Sequence, residues 1–134
     1  METLYQENYA LINYNPVRSL ITLHLIREVN FQDYKLVLNT LLEKIKEKTV
    51  GALILDQRYA EDLNIEERAW FVTQWFPRLL HSVQDPFKMV IISSKSLYAK
   101  MGSEYIVNTL QAKSKFPMIH VDSMEKALKW LEAR

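Results

Sequence analysis

The chain has no cysteine, only two glycines and only three histidines among its 134 residues. The missing cysteine removes disulfides, thiolate nucleophiles and cysteine-based metal sites together, and it fits a reducing compartment. Gly51 precedes a strand and Gly102 sits within a helical region, so neither a dinucleotide-binding fingerprint nor a phosphate-binding P-loop can be written. His24, His81 and His120 fall on separate elements with no i, i+4 partner. No metal-ligand spacing or ordered Ser-His-acid arrangement results, and neither a metal nor a cofactor is expected. His24 and His120 read as packing histidines. No apolar run approaches the ~18 residues of a membrane span. Residues 1–10 lack the charged and apolar regions of a secretion signal, so a soluble cytoplasmic protein is expected.

Charge of one sign is also scarce overall. A net charge of +1 argues against nucleic-acid binding, which needs clustered Lys and Arg to neutralise phosphates. Locally the signs separate. Asp56, Glu61, Asp62, Glu66 and Glu67 face only Arg58 between positions 56 and 67, whereas Lys88, Lys95, Lys100, Lys113 and Lys115 dominate 86–116. Helix-terminal complementarity and a solvated surface account for these runs.

What is present is a regular alternation of apolar patterns. Tyr9 to Tyr14 and Leu20 to Ile26 are β-prone runs joined by the turn residues Asn15-Pro16-Val17-Arg18, which predicts a hairpin. Asn30 caps a helix with Phe31, Tyr34, Leu38, Leu41, Leu42 and Ile45 on one face. Residues 52–55 and 88–92 are apolar on both alternating faces, as in strands covered on two sides. Asn64 and Glu67 make a capping box ahead of a helix whose inner stripe is read as Ile65, Ala69, Val72, Phe76, Leu79 and Leu80, with Pro77 kinking or shortening it. A helix from Leu97 to about Lys113, broken near Gly102, leads to a strand at 118–121. A last helix follows, capped by Asp122 or Ser123 and burying Met124, Ala127, Leu128 and Leu131. The expected fold is therefore one α/β domain over 1–134. An N-terminal β-hairpin is followed by βα repeats, giving a mostly parallel five-stranded sheet with about four helices.

Two groups of residues stand out as candidate sites. Ligands of parallel sheets bind beyond the carboxyl ends of strands, which nominates Asp56, Arg58, Ser93, Ser94 and Lys95, with Gln57, Asp122 and Ser123 alongside. Capping and turn roles compete with that assignment at each position. On the second helix, about 100° per residue turns Trp70 and Phe71 away from the inner stripe, with Trp75 at its edge. Trp70, Phe71, Gln74, Trp75 and Arg78 are then either a partner or ligand contact, or aromatics covered by a neighbouring segment.

Several strings together resemble the STAS-like fold of anti-sigma-factor antagonists and their bacterial relatives, near which the CRAL-TRIO lipid binders are sometimes placed. They are Leu55-Asp56-Gln57-Arg58, the helix string 70–77, the strand 89–93 and the closing stretch 121–131. The resemblance implies a non-enzymatic regulatory module that docks on a protein partner or on itself. Residues 57–64 contain no Ser or Thr, so the phosphorylatable switch of the antagonists has no counterpart. The lipid-binding relatives imply an alternative, a small amphiphilic ligand. An enzyme using Asp56 with Arg58 or Ser93 is a third reading, without a visibly positioned base.

Overall fold

The computed structural model describes residues 1–60 and 64–133, so Glu61 and Asp62 of the acidic run lie outside the described residues. The chain is α/β with six strands among the described residues, not five: β1 (Glu2–Glu7), β2 (Ala10–Asn15), β3 (Leu20–Leu25), β4 (Ala52–Asp56), β5 (Lys88–Ile92) and β6 (Met118–Val121). Spatial order equals chain order. The pairs β1–β2 and β2–β3 are antiparallel, and β3 to β6 are parallel. The additional strand β1 is an edge strand with a bulge between Thr3 and Tyr5, and only Leu4 and Tyr5 pack on the core. At the predicted turn, the Asn15 side chain accepts from the Val17 and Arg18 amides at 3.1 and 3.3 Å.

Sequential order decides where the helices lie. Right-handed crossovers that always step in the same direction deliver every crossover helix to the same face of a sheet. Accordingly α1 (Phe31–Glu47), the second helical segment and α4 (Leu97–Gln111) share one core with Ile12, Leu23, Leu53, Leu55, Met89 and Ile91. The terminal α5 (Met124–Glu132) stands on the opposite face, where Ala127 packs with Leu20, Ile54, Val90 and Ile92. Strands β4 and β5 are thereby covered on both sides, as their continuous apolar runs predict. Among the described residues, no helix is long and apolar enough to cross a membrane.

The helix caps follow the sequence. Asn30 accepts from the Asp33 amide at 2.8 Å, Asn64 and Glu67 close a capping box, and Ser123 rather than Asp122 caps α5. Each such cap contributes about 1 kcal/mol. Helix α4 runs unbroken through Gly102 from its cap at Ser96.

The second helical segment departs from the regular reading. It comprises α2 (Ile65–Trp70), a π-helical turn (Phe71–Trp75) and α3 (Phe76–Ser82). Pro77 has no N–H for the Thr73 carbonyl and its ring crowds that position, a conflict that a widened turn relieves. The widening also realigns the side chains. Glu67, Phe71, Trp75 and Leu79 are all buried, although in a regular helix a four-residue spacing overshoots one turn by about 40° per step. The Phe71 and Trp75 rings stack at 5.1 Å as a result.

The most deeply buried phenol belongs to Tyr34, whose hydroxyl finds no hydrogen-bond partner among the described residues. Burial, with Glu67 acting in the same direction, pushes its pKa far above the ordinary tyrosine value. A buried donor left unpaired costs about 1–3 kcal/mol. Removing it with the ring retained should therefore leave stability unchanged or raise it. Thermal unfolding of Tyr34→Phe is expected to give a Tm equal to or a few degrees above wild type, and a clear loss would mean that the hydroxyl is satisfied.

Candidate functional site

The expected outer aromatic face of the second helix is corrected by the structure. Phe71 and Trp75 are buried at 1% and 0% exposure, and the Trp75 indole N–H donates to the Leu38 carbonyl at 2.7 Å. Trp70 is half-buried, its ring meeting Phe31 and Tyr34 edge-on at 6.4 and 5.8 Å. Ile65 and Ala69, expected on the inner stripe, are both exposed, Ile65 to 83%. Of the five residues nominated there, only Gln74 and Arg78 are on the surface, and Arg78 bridges to Asn39 of α1 at 2.9 Å.

The apolar surface lies instead on α4. Its inner face buries Ser103, Ile106, Val107 and Leu110. Leu97, Tyr98, Met101 and Tyr105 are 60% exposed or more, and at about 100° per residue they fall within an arc of roughly 100° on the outer side. Isolated exposed apolar residues need no explanation, but a contiguous stripe does. Ile65 continues it across a groove of about 370 Å³ between α2 and α4, walled by Arg68, Val72, Tyr105 and Thr109. Gly102 leaves room for the Arg68 guanidinium. A Cβ there would lie 2.6 Å from Arg68 Nη2, and the guanidinium carbon sits 5.8 Å from the centre of the Tyr98 ring.

The strand-end rim divides into two clusters. In the first, parallel register sets His24 beside Asp56 on adjoining strands. Asp56 is 1% exposed, and both its oxygens are engaged. One accepts from Arg58 Nε at 2.9 Å and from the Arg58 amide at 3.2 Å. The other lies 2.9 Å from Arg58 Nη2 and 2.9 Å from His24 Nδ1. Burial alone would raise this carboxyl, but the hydrogen bonds from His24 and Arg58 outweigh it and hold the pKa well below the ordinary carboxylate value. A carboxylate so saturated is a poor proton acceptor, so its work is to tie β3, β4 and the loop after β4 together.

In the second cluster Ser93, at 3% exposure, continues the ladder through its amide to the Val121 carbonyl at 3.0 Å. Its hydroxyl is buried without a partner among the described residues. Asp122 accepts from Lys126 at 2.9 Å and faces Lys100 at 3.7 Å. The Lys126 hydrogen bond lowers the Asp122 pKa, and the charges of Lys100 and Lys95 act the same way. Ser93, His120, Asp122 and the two lysines of this pair line a cavity of about 230 Å³. The exposed Lys95 and half-buried Ser94 lie on the loop that leads from Ser93 into α4. Strand alternation directs Asp56 to the α5 side and Ser93 away from it, so the rim residues do not form one site. Lys100, His120 and Lys126 were not among the sequence candidates. They come from three elements with no shared spacing. A larger cavity, about 490 Å³, lies at the opposite ends of the strands beside Arg18, Phe87 and Leu131.

Among the described residues no three carboxylate or histidine side chains group as metal ligands. The sequence matches no known protein-family profile and no curated protein.

Removing the Asp56 charge leaves Arg58 and His24, each about a quarter exposed, facing a neutral amide, which costs about 2–3 kcal/mol. Asp56→Asn should lose stability of that order in urea unfolding at neutral pH. Because the folded pKa lies below the ordinary 3.8, the wild-type contribution is complete above that value and disappears as pH falls through the folded pKa. The gap between wild type and variant should therefore narrow in acid. A gap independent of pH would contradict the ion-pair account.

Proposed function

We propose that the protein is a non-catalytic docking module of the STAS-like kind, and that its α2–α4 face pairs with a second copy of the chain. The observation that carries this reading is the exposed stripe of Leu97, Tyr98, Met101 and Tyr105, extended by Ile65 across the groove. Those five side chains together present apolar surface on the order of 500–600 Å², at the top of the ~300–600 Å² range of the largest patch on a typical monomer. A stable interface buries about 800 Å² on each partner.

Charge favours a copy of the same surface as the occupant. Both signs border the stripe, Glu104 about 20° beyond Leu97 on α4 and Arg68 on the groove wall, so the surface offers a copy of itself an acid and a base to pair. The saturated Asp56 carboxylate and the order of elements that resembles the STAS scaffold both accord with a non-catalytic role. A second reading, a small amphiphilic ligand in the 370 Å³ groove, rests on its apolar walls and predicts a rise in Tm with a fatty acid that Tyr105→Glu abolishes.

Molar mass measured by light scattering over a concentration series tests the docking reading. Wild type is expected to approach twice the monomer mass, and the double variant Met101→Glu/Tyr105→Glu to dissociate about tenfold or more readily. Both side chains point outward, so the variant should retain the wild-type unfolding midpoint as a dilute monomer. A wild type that stays monomeric at every concentration overturns self-pairing.

A further inference from the structure

The small cavity at the carboxyl ends of β5 and β6 has a use that the docking surface does not absorb. There α4, from one face of the sheet, and α5, from the other, come close over the strand ends, bringing Lys100 and Lys126 to opposite sides of Asp122. Lys95 is near enough to act on the same carboxylate. Two ammonium groups on one carboxylate leave this corner net cationic, and Lys95 adds to the field from farther away. Asp122 holds its lysines in place without neutralising them.

The floor of the cavity adds an observation independent of charge. Ser93 is 97% removed from solvent, and its hydroxyl lacks any hydrogen-bond partner among the described residues. The fold has no need of that hydroxyl, because the bond that continues the β5–β6 ladder uses the Ser93 backbone amide. An alanine would serve the ladder equally. Ser93 lines the cavity, and His120 supplies a further polar group to it from β6. The position itself is where parallel sheets bind ligands, and 230 Å³ holds about seven water-sized groups.

We propose that this corner binds a small oxyanion, the phosphate or carboxylate group of a compact metabolite. Lys100 and Lys126 face its charge and the Ser93 hydroxyl donates to one oxygen. Asp122 repels part of the same charge, which limits affinity and favours an anion seated between the lysines over one resting on the carboxylate.

Amide NMR titrations of the full chain with inorganic phosphate and, separately, with succinate test the assignment, with sodium chloride as the ionic-strength control. At least one of the two anions is expected to give saturable shifts at the amides of Ser93, Val121 and Asp122, and the one that saturates first identifies which oxyanion chemistry the site prefers. Ser93→Ala should weaken that binding about tenfold while leaving Tm unchanged, because a lost hydrogen bond to a charged group is the only loss. Lys126→Gln, altering an exposed side chain, should weaken it as well. The site is distinct from the docking stripe, so Met101→Glu/Tyr105→Glu should titrate like wild type. Shifts that fail to saturate with both anions, that chloride reproduces, or that survive unchanged in Ser93→Ala overturn the proposal.

Discussion

Right-handed crossover connections constrain this molecule more than any single contact does. With six strands laid down in chain order, α1, α2–α3 and α4 have only one face to occupy, and α5 is alone on the other. Three helical segments in one layer over one sheet face are crowded. Helix α1 and the second segment are held by Trp75 against the Leu38 carbonyl and by Arg78 on Asn39, and they fill the centre. Helix α4 follows in the crossover to the edge strand β6, burying one side and leaving the other exposed among the described residues.

The π-helical turn distributes the aromatic side chains within that layer. By widening ahead of Pro77, the chain keeps Phe71 and Trp75 on the side that Glu67 and Leu79 also occupy, and the core takes both rings. Apolar surface that does not enter the core therefore collects on α4 and at Ile65. The same arrangement brings α4 and α5 together over the ends of β5 and β6, where charge through Asp122 links the two helices. Docking surface and polar corner are thus two consequences of one topology, on different sides of one helix.

The sequence carried most of the fold. Two-sided apolar runs at 53–55 and 89–92, caps at Asn30 and Asn64, and the Asn15-Pro16 turn each encode their structure locally, and each appears where its chemistry predicts. Strand β1 was illegible because Glu2, Thr3, Gln6 and Glu7 surround only two packing residues on an edge that needs burial on one side at most. The buried face of the second helix is not encoded by a regular period, because Ile65 is an exposed first-turn residue and the π turn shifts the spacing of Phe71 and Trp75. For the sites, the sequence located Asp56, Arg58, Ser93 and Asp122 at strand ends but not how they divide. The His24–Asp56 pair depends on parallel register, and the Ser93 corner on two helices meeting from opposite faces, neither of which leaves a spacing to read.

The central claim is that the outer side of α4 meets its own copy, and the absence of native cysteine makes that directly measurable. Met101→Cys introduces a single thiol at the middle of the stripe, near a two-fold axis if the copies pair there. Under mild oxidation the account predicts a covalent dimer as the main product. The same thiol placed at Lys129, exposed on α5 across the sheet, should stay largely monomeric. Equal cross-linking at the two positions, or none at Met101→Cys, would contradict it.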